Sequence, residues 1–315
     1  MLSVEKLSSK TSKLPGASRK LRIKWSRLAF QLLLIVGSIF MAYPLVYGVM
    51  SSLSSLTVFT NSTWLPLPDT LYLENYSRVF ASSGKEVGQW VINTLIRIAW
   101  YILVPGTIAV LAGFVFSRLN FKGRDTVFVF LLSSMMVPPI VFLIPTYIIL
   151  ARMPLAGGNN ALGQGGHGFI NEWPALLLPG LVNAFYIFFM RQSYQSIPAD
   201  YEEAARVDGA NTLQVIIRIY LPMLKPALTV LVIFQFVAIW NDYLWPLIAV
   251  SGNRSVYPIA LGIQKIIQTY TQANSATSYP LAFTIGTLAT VPTILLFLLL
   301  QRYFIEGVQG FGLKG

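Results

Sequence analysis

RQSYQSIPADYEEAARVDGANTLQVIIRIYLPMLKPAL, residues 191–228, is a charged and punctuated stretch lying between two long apolar runs. Asp200 reads as a helix N-cap, with Glu203 three residues later as in a capping box and Glu202 adding negative charge to the first turn. Gly209 supplies a left-handed stop. The spacing predicts a helix over 201–208, roughly 12 Å long at 1.5 Å per residue. A second start follows at once, with Asn211 as cap and Gln214 at the third position, and its apolar stretch ends at Pro222. The unit is helix, glycine turn, helix. Ala204 and Ala205 give the first helix a flat surface flanked by charge, which fits docking into a groove on another protein. An amphipathic helix resting on lipid headgroups is the competing reading.

Around this stretch the chain is almost without charge. Of 315 residues, 55% are hydrophobic and 11% charged, with mean hydropathy +0.62, whereas soluble domains carry roughly 25% charged residues. Residues 28–50, 98–117, 126–151 and 173–190 contain no charge at all. Two further runs cover about 226–250, broken only by Asp242, and about 281–300. Each is long enough to cross ~30 Å of hydrocarbon as a helix. The expected fold is therefore all-α and integral to a membrane, with six transmembrane helices (residues 28–315) behind a basic N-terminal arm (residues 1–27).

Charge sets the orientation. Eight of the 23 Lys and Arg residues precede Leu28, so the N-terminus is expected in the cytoplasm. With six spans, the segments sharing its side hold 17 Lys and Arg against 5 on the other side, with Arg97 left inside a span. That imbalance places the C-terminus and the 191–225 loop in the cytoplasm as well. The apolar run at 28–50 has no A-x-A-like site after it and reads as an anchor rather than a cleaved signal. The outer segments 51–88, 157–168 and 251–280 read as loops, the glycine-rich middle one as a flexible linker.

Several functions lack raw material. With no Cys and one His, His167, zinc sites, disulfides and thiol or histidine catalysis are excluded as leading readings. GGNNALGQGGHG has no Lys-Ser/Thr ending, and the only Gly-Lys pair, Gly84-Lys85, lacks the P-loop spacing, so no nucleotide site is expected on this chain. The basic balance reads as topology, not as nucleic-acid binding. No paired carboxylates, HExxH or Ser/His set marks an intramembrane enzyme. An ion-driven secondary transporter would need several midplane carboxylates or histidines and internal repeats, neither of which is evident.

Two ionisable residues remain within spans. Arg97, at the outer start of the second, is expected to snorkel to the headgroups. Asp242 follows Pro226 by about 24 Å of helix and sits near the outer boundary. Its neighbours Gln235, Trp240, Asn241, Tyr243 and Trp245 combine ring faces with amides, which suits sugars; an interfacial aromatic belt is the alternative. Pro105, Pro138, Pro139, Pro145, Pro179, Pro246 and Pro292 suggest a hinged bundle.

Glu203-Ala204-Ala205, three residues, Gly209, nine residues, then Ile219-x-Leu221-Pro222 resembles the EAA signature of permease subunits in binding-protein-dependent ABC importers. Arg191-Gln192, Ile197-Pro198, Asp208-Gly209-Ala210, Trp240-Asn241-Asp242, Pro246-Leu247 and the closing Gln301-Arg302-Tyr303-Phe304 and Lys314-Gly315 are similar to the carbohydrate branch, the MalG-like permeases. The tail GVQGFGLKG and the long basic arm depart from that pattern, the arm fitting an extra tether to anionic lipid. The resemblance implies a type I ABC importer fold in a bacterial or archaeal inner membrane. It implies that Glu203, Ala204, Ala205 and Gly209, flanked by Arg206 and Asp208 and followed by Leu221 and Pro222, seat the loop in a cytoplasmic ATPase. The implied partners are an ABC ATPase dimer holding ATP and Mg, a homologous second permease, an extracytoplasmic solute-binding protein and a sugar, with no cofactor on this chain. Gln235, Trp240, Asn241, Asp242 and Tyr243 are the solute-pathway candidates. A permease of the same superfamily for a non-sugar solute is the alternative.

Overall fold

The computed structural model describes residues 25–272 and 278–312, and helices are the only regular secondary structure among them. Residues 1–24 of the basic arm and residues 313–315 lie outside the described residues, as do the side chains of 302–312. The chain divides into two compact units, Met1–Val46 and Tyr47–Gly315. In the first, helix α1 (Trp25–Ser52) begins, and its apolar side chains from Phe30 to Met41 are exposed on all sides, as suits a helix whose solvent is lipid.

The second unit is organised by α2 (Glu74–Arg118), 45 residues long. It is followed by α3 (Arg124–Ser133), α4 (Leu143–Ala151), α5 (Trp173–Leu177), α6 (Ala184–Gln195), α7 (Asp200–Val207), α8 (Lys225–Trp240), α9 (Leu244–Ala249), α10 (Ile259–Gln272) and α11 (Ser278–Gly312). α2 packs along α6, α8, α10 and α11.

Continuous apolar helices long enough to cross a bilayer cover Ala29–Ser52, Gly84–Arg118 and Tyr279–Leu299. The expected span 126–151 is a bent pair, Arg124–Met136 with Pro139–Ala151 at 91°. The one expected from about 226 starts at a second bend, where Thr212–Met223 meets Lys225–Trp240 at 81°, and is interrupted again between Trp240 and Leu244. Pro138 and Pro139 break the first, since neither offers an N–H and each restricts the residue before it. The run at 173–190 is no single helix either: α5 stops after one turn, Pro179 and a left-handed Gly180 (φ 77°) follow, and Asn183 caps α6 by accepting from the Tyr186 N–H at 3.2 Å. Apolar length alone does not reveal such breaks.

Three expected loops are folded instead. α2 begins at Glu74, well inside the segment read as a loop. α10 occupies much of the segment 251–280, because Ile259, Ile263 and Ile266 recur at helical spacing and bury one face. At Gly262 a Cβ would lie 2.0 Å from the Trp90 ring, so only glycine admits this contact with α2. The glycine-rich segment is no flexible linker. Asn159 donates to the Ala151 and Met153 carbonyls and accepts from the Gly166 N–H, and the left-handed Gly157, Gly163 and Gly168 approach backbone too closely for a side chain.

Two buried clusters result. One joins Trp90, Ile98 and Tyr101 of α2 to α5, the end of α8, α9, α10 and Ile285. The other joins Ala109, Val110 and Phe114 to α6, Ala205 of α7 and residues 215–231.

Candidate functional site

In the loop, α7 starts at Asp200 because Ala199 is already helical (φ −67°, ψ −25°) and makes no side-chain cap bond. Asp200 is therefore a first-turn residue rather than the cap, and Glu203 closes no capping box; with Glu202 they act on the positive end of the helix dipole. The stop is as expected: Gly209 has φ 84°, the Gly209 N–H donates to the Arg206 carbonyl at 3.0 Å and the Ala210 N–H to the Ala205 carbonyl at 2.9 Å. This is a Schellman closure. Asn211 and Gln214 form the expected reciprocal box, at 2.9 Å in both directions.

A widened π turn over Val215–Tyr220 then aims Tyr220, fully buried, back beneath α7. Its hydroxyl donates to Glu202 at 2.7 Å, and the other oxygen of that carboxylate accepts from Arg206 at 2.9 and 2.7 Å. Burial pushes the Tyr220 phenol up, and its hydrogen bond to Glu202 acts in the same direction, so the hydroxyl stays a donor. Phe114 and Tyr194 meet the Tyr220 ring edge-on, and Arg118 stacks over it at 5.1 Å. Arg118 also donates to the Tyr194 and Ile197 carbonyls, at 2.5 Å each, which ties the end of α6 to the end of α2.

This clamp sorts the motif residues. Ala205 faces inward at 8% exposure and belongs to the buried cluster. Leu221 packs partly against the same cluster, and Pro222 is exposed. Glu203, Ala204, Arg206, Asp208 and Gly209 are exposed, with Val207 at 87%. One face of α7 is thus an internal anchor and the opposite face is open.

The pathway candidates do not converge on one pocket. Gln235 is buried beside Gly106 at the edge of a cleft of about 390 Å³ between α2 and α8, and its Oε1 has no hydrogen-bond partner. Trp240 is 4% exposed, lies flat on Phe236 with ring centroids 5.5 Å apart and donates to the Ala289 carbonyl at 3.1 Å. That carbonyl belongs to the turn before Pro292, where the α11 ladder is interrupted. Asn241 is exposed and bonds back to Val237 of its own helix at 2.9 Å. Tyr243 is half-buried against the Trp90 cluster.

Asp242 reaches Arg97. Arg97 does not snorkel: at 2% exposure it turns into the bundle, with Nη2 2.5 Å from Asp242 Oδ2 and Nε donating to the Leu176 carbonyl at 3.2 Å. The break in the run 173–190 explains the direction. Its freed carbonyls need donors away from water; Trp245 serves Ala175 at 2.8 Å, Trp100 serves Leu177 at 2.9 Å, and Tyr101 serves Pro179. Trp240 and Trp245 accordingly commit their indole N–H groups to interior carbonyls. The Arg97 pairing, and the anchoring role of Glu202, Tyr220 and Arg118, were not read from the sequence. The opposite signs of the two intramembrane charges were the available signal for the first.

Comparison with known proteins agrees with this architecture. Residues 88–310 match the family described as "Binding-protein-dependent transport system inner membrane component". The chain is 27% identical over 295 residues to the arabinooligosaccharides transport system permease protein AraQ of Halalkalibacterium halodurans, covering 90% of this chain and 96% of that one. It is 30% identical over 244 residues to the lactose transport system permease protein LacG of Rhizobium radiobacter, covering 76% and 80%. A crystal structure of a bacterial ABC transporter involved in import of the acidic polysaccharide alginate contains a chain that superposes with TM-score 0.71 at 25% identity, covering 92% of this chain and all of that one. The chain belongs to the family of inner membrane components of binding-protein-dependent transport systems.

Proposed function

We propose that this chain is one of two permease subunits of an ABC importer for a saccharide, crossing a bacterial or archaeal inner membrane six times with both termini in the cytoplasm. A partner ATPase dimer holds ATP and Mg, an extracytoplasmic binding protein delivers the solute, and this chain carries no nucleotide. The arabinooligosaccharide, lactose and alginate relatives support a saccharide as cargo. The charge distribution supports the orientation.

The observation that carries the coupling role is the two-faced α7. Its inner face is pinned by Glu202, Ala205 and Tyr220, while Ala204, Val207 and Asp208 are open to a partner. A push on such a helix is passed to α2 and α8 instead of being lost in a loose loop, so nucleotide state at the ATPase biases one of two bundle states. Among the pathway candidates, Gln235 and Asn241 keep groups free for a solute.

Gly209→Val tests the reading. A Cβ there meets nothing within 4 Å, so the variant acts through backbone strain of about 1–2 kcal/mol in the left-handed region and through the angle at which α7 leaves the bundle. Uptake by the reconstituted transporter is expected to fall below detection, with less ATPase recovered on the purified permease. Unaltered uptake with the ATPase fully retained would contradict the coupling role.

A further inference from the structure

We propose that Arg97 is a positioning residue for transport: its ion pair with Asp242 holds the breaks of the fourth and fifth spans together in the state seen here and separates in the other. This rests on the import reading above. The pair joins α2 to the turn after α8 across 145 residues of sequence. Through the Leu176 carbonyl it also reaches the end of α5. Both joined elements are interrupted at this level, α5 at Leu177 and α8 at Trp240. They can therefore pivot here without sacrificing helical hydrogen bonds, as hinges do.

Stability alone does not account for the pair. A buried ion pair recovers its desolvation cost only with full hydrogen bonding, and a well-packed apolar replacement is often as stable. Arg97 falls short of that condition, because its Nη1 is buried with no hydrogen-bond partner. The carboxylate side is also asymmetric: Asp242 is 24% exposed against 2% for Arg97. Water can solvate the acid as the contact parts, while the arginine stays sheltered between Tyr101 and the Leu176 carbonyl. Incomplete satisfaction, one wet partner and two flanking breaks describe a contact with two arrangements rather than a permanent rivet.

The test uses the assembled transporter in proteoliposomes with its binding protein and a transported saccharide. Asp242→Asn keeps shape and removes charge. The maximal uptake rate is expected to fall roughly tenfold and ATP hydrolysis without loaded binding protein to rise by a similar factor, within the usual span of coupling energies. The saccharide concentration for half-maximal uptake should stay within about twofold. The chain has no cysteine, so Arg97→Cys with Asp242→Cys, bridged by a reducible bifunctional reagent, reports motion directly even if the Asn variant fails to assemble. Bridging should stop uptake, and reductant should restore it. Uptake that continues at the unbridged rate while the bridge is in place overturns the proposal. So does an Asn variant whose only change is in half-maximal concentration, which would make Asp242 a solute contact. A wild-type transporter with no ATP-driven uptake removes the import reading and this inference with it.

Discussion

Two arginines of α2 solve the same problem in opposite ways. Both turn into the bundle, Arg97 near the middle of the helix and Arg118 at its C-terminal end, about 30 Å apart along the axis at 1.5 Å per residue. That is close to the thickness of the hydrocarbon layer. Arg97 finds a carboxylate from a distant span and stays almost wholly sheltered. Arg118 finds the Tyr194 and Ile197 carbonyls and the Tyr220 ring, while the nearby acid Glu202 bonds to the Tyr220 hydroxyl instead. The Arg97 level is a closed knot between distant elements; the Arg118 level is a clamp that leaves the outward side of α7 free. A transmembrane lever needs both, a joint that can part and a handle that cannot.

The larger effect should appear at the handle. Arg118→Met removes two charge-assisted hydrogen bonds and one cation–π contact, and is expected to lower the local opening free energy of the α6–α7 segment by about 2–3 kcal/mol. Hydrogen exchange of the α7 amides should then quicken by ~30–160-fold while the amides of α10 keep their protection. Equal acceleration in both would erase the distinction between the two levels. The smaller effect belongs to the knot. Trp240→Phe keeps the ring and loses the single bond to the Ala289 carbonyl, at a cost of about 1 kcal/mol in denaturant unfolding. A cost indistinguishable from zero would mean that the interrupted α11 ladder does not depend on Trp240.

The same contrast shows what was legible beforehand. The loop could be read almost residue by residue, because caps and left-handed glycines are local: Gly209, Asn211 and Gln214 behave as their spacing implies. Even there, Asp200 was displaced by one position, since nothing in the side chain of Ala199 announces that its backbone continues the helix. The membrane class followed from composition, and the prolines marked the bundle as hinged without locating the hinges. Pro138, Pro139 and Pro179 stand at breaks, whereas Pro105 and Pro292 lie inside continuous helices, so the prolines by themselves do not tell which runs bend. Arg97 and Asp242 were seen as two isolated charges at one boundary, and their pairing depends on the carbonyls exposed by the α5 break, which is a tertiary fact. Ala205 was taken for outer surface because the motif gives no direction; Tyr220, fifteen residues on and outside any local pattern, sets it.

The most direct check of the coupling role is a photo-activated cross-linker placed at Val207, the 87% exposed residue on the open side of α7. In the intact membrane it should capture the nucleotide-hydrolysing subunit, with a yield that changes when ATP is added. Capture of lipid alone, in a transporter that still imports its solute, would contradict the handle described here.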